Sequence, residues 1–264
     1  MFGIVNTARK AVYEAANIIQ QFSRKTDLKI KNKEGVNKFV SLVVQKTEHK
    51  IIEVIRKTYP EHNIISEQNG HTNNFTSDYT WIIDPLNGST NFIHNHPSYC
   101  TSIAVRYKDK ITHGVIFDFN KSDFYYAING KGAFLNDKRI RVSNVKQMNM
   151  ALIGVGFPSD NLKTIEAYFR IFREISLQTS GQRRSGSVAL DLAYVAAGIL
   201  DGFWEFSLNN WDFAAGVLLI KEAGGFVTDF KGESGLLNSG NIVAGNYLVC
   251  EQLLSIIANN IDLV

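Results

Sequence analysis

Several features are scarce or missing in this chain of 264 residues. No apolar run reaches the roughly 20 residues that cross a bilayer, which argues against a membrane protein. The N-terminal MFGIVNTARKAVYEAANII has no long unbroken apolar stretch and carries Arg9, Lys10 and Glu14, unlike a signal peptide. A cytoplasmic protein is the resulting expectation. Cysteine occurs only at Cys100 and Cys250, both in apolar or aromatic surroundings, so buried free thiols are expected rather than a disulfide. Excess charge is slight, +3 at neutral pH, and gives little reason to expect nucleic-acid binding. No GxxxxGK[ST] sequence is present, which argues against an ATPase. No CxxC pair and no HExxH occur, which argues against zinc. The six histidines, His94 and His96 among them, are scattered and read as surface or loop residues. There is no internal repeat and no flexible linker.

What remains is ordinary globular composition, 45% hydrophobic and 20% charged, in a chain long enough to bury a large core. Apolar spacing predicts a helix over 3–23 and another over about 42–58, ending before Tyr59-Pro60. Between them, 24-RKTDLKIKNKEG-35 reads as a basic, solvated loop or hairpin. HNIISE (62–67) reads as a strand ending on an acid, followed by a polar loop over 68–79. Strands are expected at 80–83, 99–107, 111–119, 122–128 and 151–157. The second half alternates: a helix near 160–175, an anion-like loop at 181–187, a helix at 188–198, a strand at 202–206, a helix at 211–225 closed by glycines, and then the strand FVTDF. This mixture predicts an α/β (α+β) layered sandwich of helices and sheets. The chain reads as a single domain, 1–264, with two halves meeting near 150–180.

The informative stretch is 81-WIIDPLNGST-90. A hydrophobic strand runs into Asp84, Pro85 turns the chain, and Gly88-Ser89-Thr90 opens a helix. Glu67 also ends a strand, and Asp212 opens a helix after Trp211. Carboxylates at strand ends can converge on one sheet edge, where a hard cation such as Mg²⁺ finds oxygen ligands. The Leu86 carbonyl could add a neutral oxygen. The N–H groups at the Gly88–Thr90 helix start suit a phosphate. A metal beside a phosphate implies metal-assisted phosphoryl transfer to water. Taken singly, each acid has a plainer reading as an N-cap or turn residue, and for Asp212 that reading is as good as the metal one.

WIIDPLNGSTNF resembles the WxxDPxDGTxNF loop of the inositol monophosphatase family, and WDFAAG resembles its second signature, WDxAAG. The resemblance covers nearly the whole chain. SIAVR, RRSGSVALDLAYVAAG, DGFWE and NIVAGN place it nearest the bacterial SuhB branch. The resemblance implies a layered fold, usually a homodimer, and Mg²⁺-dependent hydrolysis of phosphate monoesters such as inositol monophosphate. Glu67, Asp84 and the Leu86 carbonyl match ligands of a first metal. Asp84, Asn87 and Asp212 match a second. Gly88 and Ser89 match the phosphate cradle, and Leu86, Asn87 and Thr90 join them as expected substrate-binding residues. Arg183, Gly186, Ser187 and Glu205, with Asp212, match the substrate-facing side.

Two departures from the pattern matter, while Ser89 in place of Thr keeps the hydroxyl and is mild. Asn87 stands where the family has Asp, which removes a charge from the second metal site. Val44, in 41-SLVVQKTEHK-50, falls where the family has an Asp. In the family that acid pairs with the hydroxyl at the Ser89 position, and together they activate the attacking water. Valine accepts neither a proton nor a hydrogen bond, and general-base help is typically worth about 10²–10⁴-fold. Together the departures point to lost or feeble catalysis. The SuhB branch also serves as Nus-type factors in ribosomal RNA transcription antitermination. The resemblance therefore carries a second expectation, protein binding to RNA polymerase and NusA on an inherited phosphatase scaffold. The alternative is a fully active inositol-1-monophosphatase.

Overall fold

The computed structural model describes residues 2–23, 33–68, 70–71, 77–158, 162–233 and 239–261. The N-terminal spacing produces α1 (Phe2–Ser23), which buries Val5, Ala8, Val12, Ala15 and Ile19 along one side. Helix α2 (Lys33–Thr58) packs against it. It starts well before the expected position near 42, so the loop expected over 24–35 does not reach Lys33. Its first turns hold Glu34 and Lys38, an i,i+4 ion pair at 2.6 Å, which favours a helix without any apolar periodicity. Residues 24–32, most of the basic stretch, lie outside the described residues.

The first sheet comprises β1 (Asn63–Ser66), β2 (Gly70–His71), β3 (Tyr79–Asn87), β4 (Cys100–Tyr107), β5 (Lys110–Asp118), β6 (Asp123–Ile128), β7 (Gly132–Leu135) and β8 (Lys138–Arg139). Their order is β2-β1-β3-β4-β5-β6-β7-β8. All neighbours are antiparallel except β1 and β3. The polar loop expected over 68–79 thus contains a short strand. The strand expected to stop at 83 continues through Pro85 to Asn87, with its pairing to β4 shifted between Asp84 and Asn87. Proline cannot donate to a ladder. Here its carbonyl is held instead, accepting from the Thr101 hydroxyl at 2.7 Å. Asp84 is therefore inside the strand, at a bulge, and not at its end. A short helix, α3 (Ser89–Ile93), links β3 to β4.

The second sheet comprises β9 (Leu152–Val155), β10 (Gly181–Arg183), β11 (Gly202–Glu205), β12 (Phe226–Thr228) and β13 (Ile242–Gly245), in the order β10-β9-β11-β13-β12. The loop expected at 181–187 opens with a strand, because Gly181–Arg183 pairs in parallel with β9. The remaining helices are α4 (Leu162–Gln178), α5 (Val188–Ala196), α6 (Asn210–Glu222) and α7 (Tyr247–Asn260).

Side-chain alternation along the strands stacks these elements into layers. Trp81, Ile83, Ile103, Val105, Val115 and Phe117 face α1 and α2. Their neighbours Ile82, Ala104 and Ile116 face α5 and α6 on the other side. The same two helices meet Phe203, Val227, Ile242 and Ala244 of the second sheet. Trp204, Ile153 and Val243 point outward onto α4 and α7. The order is helices, sheet, helices, sheet, helices. With α5 and α6 enclosed between two sheets, α6 buries Phe213 through Ile220 without interruption and shows no polar face. Both cysteines are free and buried, as expected from their surroundings. No helix among the described residues is long and apolar enough to cross a membrane.

Candidate metal and phosphate site

The parallel pairing of β1 with β3 places Ser66 opposite Ile83, and the Glu67 N–H donates to the Ile83 carbonyl at 3.3 Å. The residue after each of these is an acid, so Glu67 and Asp84 come side by side and act on each other electrostatically. Asp84 is buried. Its Oδ1 accepts from the Leu86 N–H at 3.1 Å and its Oδ2 from the Asn87 side-chain amide at 2.8 Å. Asp212 arrives from the first turn of α6. Its Oδ2 accepts from the Asn209 N–H at 2.9 Å in a capping box, so the turn-residue reading holds for that oxygen. Its Oδ1 lies 3.5 Å from the Asn87 amide nitrogen.

The acids repel one another. Burial, then the charges of Asp212 and Glu48, push the Glu67 carboxyl up to about 7. Burial, then Glu67 and Asp212, hold Asp84 well above its ordinary value. Burial also raises Asp212. Among the described residues no cationic side chain relieves this repulsion, and a cation beside the pair would. Two carboxyls side by side are oxygen donors of the kind a Mg²⁺ ion accepts. Among the described residues, however, no three His, Cys, Asp or Glu side chains are close enough to hold an ion together. Asp212 reaches the pair only through Asn87.

Asn87 does not turn its oxygen to the acids. Its Oδ1 accepts from the Ser187 hydroxyl at 2.7 Å and from the Ala189 main-chain N–H at 3.1 Å. Its nitrogen faces Asp84 and Asp212. Beside it, Gly88 has φ +88° and no room for a side chain: an added Cβ would fall 2.8 Å from the Ser98 carbonyl and 3.3 Å from that of Gly186. This seats the 185–187 turn against the start of α3, where the Phe92 N–H donates to the Gly88 carbonyl. Ser89 and Thr90 occupy the first positions of α3, with Thr90 exposed.

Val44 lies on the buried side of α2, in register with Thr47, Glu48, Ile51 and Ile55. It is 2% exposed and belongs to an apolar cluster with Ile19, Val43, Leu86 and Phe92. It therefore packs against both the metal loop and α3. One turn further along, Glu48 is fully buried and accepts from the Ser66 hydroxyl at 2.8 Å and the Gln68 N–H at 3.1 Å. Sequence reasoning passed over Glu48 as a site residue, although its i+4 spacing from Val44 puts both on one helix side.

On the opposite wall, Glu205 ends β11 with its carboxyl against Gly156. An added Cβ there would meet Glu205 Cδ at 1.8 Å. The Glu205 Oε2 atom is buried without a hydrogen-bond partner among the described residues. Burial, then Asp212 and Asp191, hold this carboxyl well above its usual range. The cation nearest it is Arg184, which opposes that rise and lies over the Phe157 ring at 5.5 Å. Arg183, the expected residue, is exposed and donates to the neighbouring Gln182 carbonyl at 3.0 Å. Ser187 is buried at the start of α5, and Gly186 is exposed. Asp191, one turn inside α5, is a further buried acid, held by Ser185 and pushed by burial up to about 7. It was missed because an acid in the first turn of a helix ordinarily faces solvent.

The inositol monophosphatase family matches residues 3–262 of the chain. The putative Nus factor SuhB of Neisseria meningitidis serogroup B is 42% identical over 257 residues, 97% of this chain and 98% of that protein. The Nus factor SuhB of Escherichia coli K12 is 41% identical over 255 residues, 97% of this chain and 96% of that one. The crystal structure of the extragenic suppressor protein suhB from Bartonella henselae superposes with a TM-score of 0.90 at 33% identity, covering 98% of this chain and all of that chain.

Proposed function

Because the chain belongs to the inositol monophosphatase family, we propose that it is a SuhB-type protein whose cytoplasmic role is that of a Nus factor. It would bind RNA polymerase and NusA through protein contacts, with phosphate-ester hydrolysis reduced to a residue of its ancestry. The names of its relatives support the transcription role. The observation that carries the loss of chemistry is the burial of Val44 among Ile19, Val43, Leu86 and Phe92. A water-activating acid would have to stand there, and the seam between α2, the metal loop and α3 is closed with methyl groups instead.

Glu67, Asp84 and the Leu86 carbonyl would hold a Mg²⁺ ion, which when bound would supply electrophilic charge to a phosphate oxygen. The Gly88–Thr90 turn would orient that phosphate. Glu205 would accept from hydroxyls of an inositol-like substrate. Ser89 would keep its hydroxyl at the water-binding position without an acid at 44 to polarise it. The outer layers, by contrast, need none of these groups to keep their shape.

The test pairs two measurements on the intact chain. Phosphate release from inositol 1-phosphate with saturating Mg²⁺ should fall about 10²–10⁴-fold below a relative with acids at both positions. Purified RNA polymerase or NusA should retain the chain on a column. Robust turnover without binding to either would reverse the assignment and favour the fully active phosphatase. One observation speaks for that second reading. Among the described residues the Glu67 carboxyl has no neighbour but Asp84 that would account for it.

A further inference from the structure

We propose that the side-chain amide of Asn87 occupies the role of a second cation, so that this chain binds a single divalent ion. The proposal rests on one part of the reading above, that Glu67 and Asp84 hold a cation at all.

The orientation of the amide is fixed from outside the site. The Ala189 main-chain N–H, 3.1 Å away in the first turn of α5, can only donate. The atom facing it must be the amide oxygen. The Ser187 hydroxyl, 1% exposed, donates to the same oxygen at 2.7 Å. Turning the amide over would set N–H against N–H in a dry place and leave two donors unanswered. The nitrogen is thereby committed to the other side, 2.8 Å from Asp84 Oδ2 and 3.5 Å from Asp212 Oδ1. An NH₂ group has two hydrogens and no lone pair to offer a metal. Asn87 is therefore not a weak ligand. It is a neutral cross-link whose nitrogen donates to Asp84 Oδ2 and reaches toward Asp212 Oδ1.

An aspartate at 87 would behave differently within the same frame. One oxygen would still accept from Ser187 and Ala189. The other would point at Asp84 and Asp212, placing three carboxylates together. That arrangement needs a cation between them. The single change from acid to amide thus removes both the need for a second ion and the oxygen that would bind it.

Mn²⁺ titration of the intact, metal-stripped chain, followed by the loss of its free-ion paramagnetic resonance signal, counts the ions directly. The wild type should take up one Mn²⁺ per chain. The Asn87→Asp variant should take up two. It should also melt lower than wild type without metal and gain more Tm from added Mn²⁺. Two ions in the wild type would overturn the proposal while leaving the metal reading intact. One ion in both proteins would show that Asn87 does not exclude the second. No ion in either would overturn the metal reading itself. If the variant fails to fold, the wild-type count still decides between one and two.

Discussion

Replacing Val44 by aspartate tests whether that position faces the site or the core. In the structure it faces the core, 2% exposed among Ile19, Val43, Leu86 and Phe92. Burying a valine side chain is worth about 1.5–3 kcal/mol, which the substitution forfeits. A carboxyl left without partners in that cluster adds about 1–3 kcal/mol even if it stays protonated. The expected loss is roughly 3–6 kcal/mol, a large part of the roughly 5–15 kcal/mol a domain has in total. Val44→Ala is the control: it removes the methyls without adding a polar group and should cost only about 2 kcal/mol. Urea unfolding at pH 7, followed by far-UV circular dichroism, measures both. If Val44→Asp is no less stable than Val44→Ala, the carboxylate has found water or the Ser89 hydroxyl. The argument that the acid's place has been closed by packing would then be wrong. A large difference would also mean that restoring the acid alone cannot restore hydrolysis, because Leu86 and Phe92 have settled around a methyl group.

The imidazole of His62 is stacked between Tyr59 and Tyr79, with centroids 4.6 and 4.7 Å away, and its Nδ1 accepts from the Trp81 indole at 3.0 Å. Burial, then Arg56, lower its pKa, so the unfolded chain binds the proton better and stability should fall as pH drops below about 6.5; a His62→Gln variant that retained the full acid-side loss would refute this. Asp191 has the opposite sign. Burial raises it from 3.8 to about 7, so the folded chain binds the proton better, and stability should decline as pH rises from about 4 to 7. The full loss is about 4 kcal/mol, and Asp191→Asn should flatten this part of a urea-midpoint profile. Glu67→Gln removes a repelling charge that is raised to about 7. Without metal at pH 8 it should raise Tm, and it should abolish Mn²⁺ uptake; a lower Tm would mean the carboxylate is structural.

The layers were legible because each is written in the period of its side chains. Ile82 and Ile83, or Ile103 and Ala104, alternate between two clusters, and the spacing of α1 marks its buried side directly. The early start of α2 was not legible, since its first turns are polar and have no period to read. The short strands β2, β8 and β10 were hidden for another reason: two or three residues carry no periodicity, and only the neighbouring strand makes them strands. At the site, residue types identified Glu67, Asp84 and Asp212, but not what each atom does. Asp212 spends one oxygen on its own helix cap. Which end of Asn87 faces the acids depends on the Ala189 N–H, a group about a hundred residues away that has no letter of its own.

Those bonds also separate the acids by what would retain them if catalysis were lost. Glu48 secures the end of β1 through Ser66 and Gln68. Asp84 closes its own bulge by accepting from Leu86 and Asn87. Asp212 caps α6. Each has a structural use that survives without a reaction, so none of them is evidence that a metal is still bound. Glu67 is different. Although the residue is exposed overall, its carboxyl is desolvated beside Asp84, so its charge works against the folded state as pH rises, and among the described residues that carboxyl holds no other group. A cation beside the pair would make good that repulsion. Val44 and Asn87 thus report on different losses. On the proposed reading the first stands for a missing water-activating acid and the second for a missing ion, while Glu67 and Asp84 would still bind one cation.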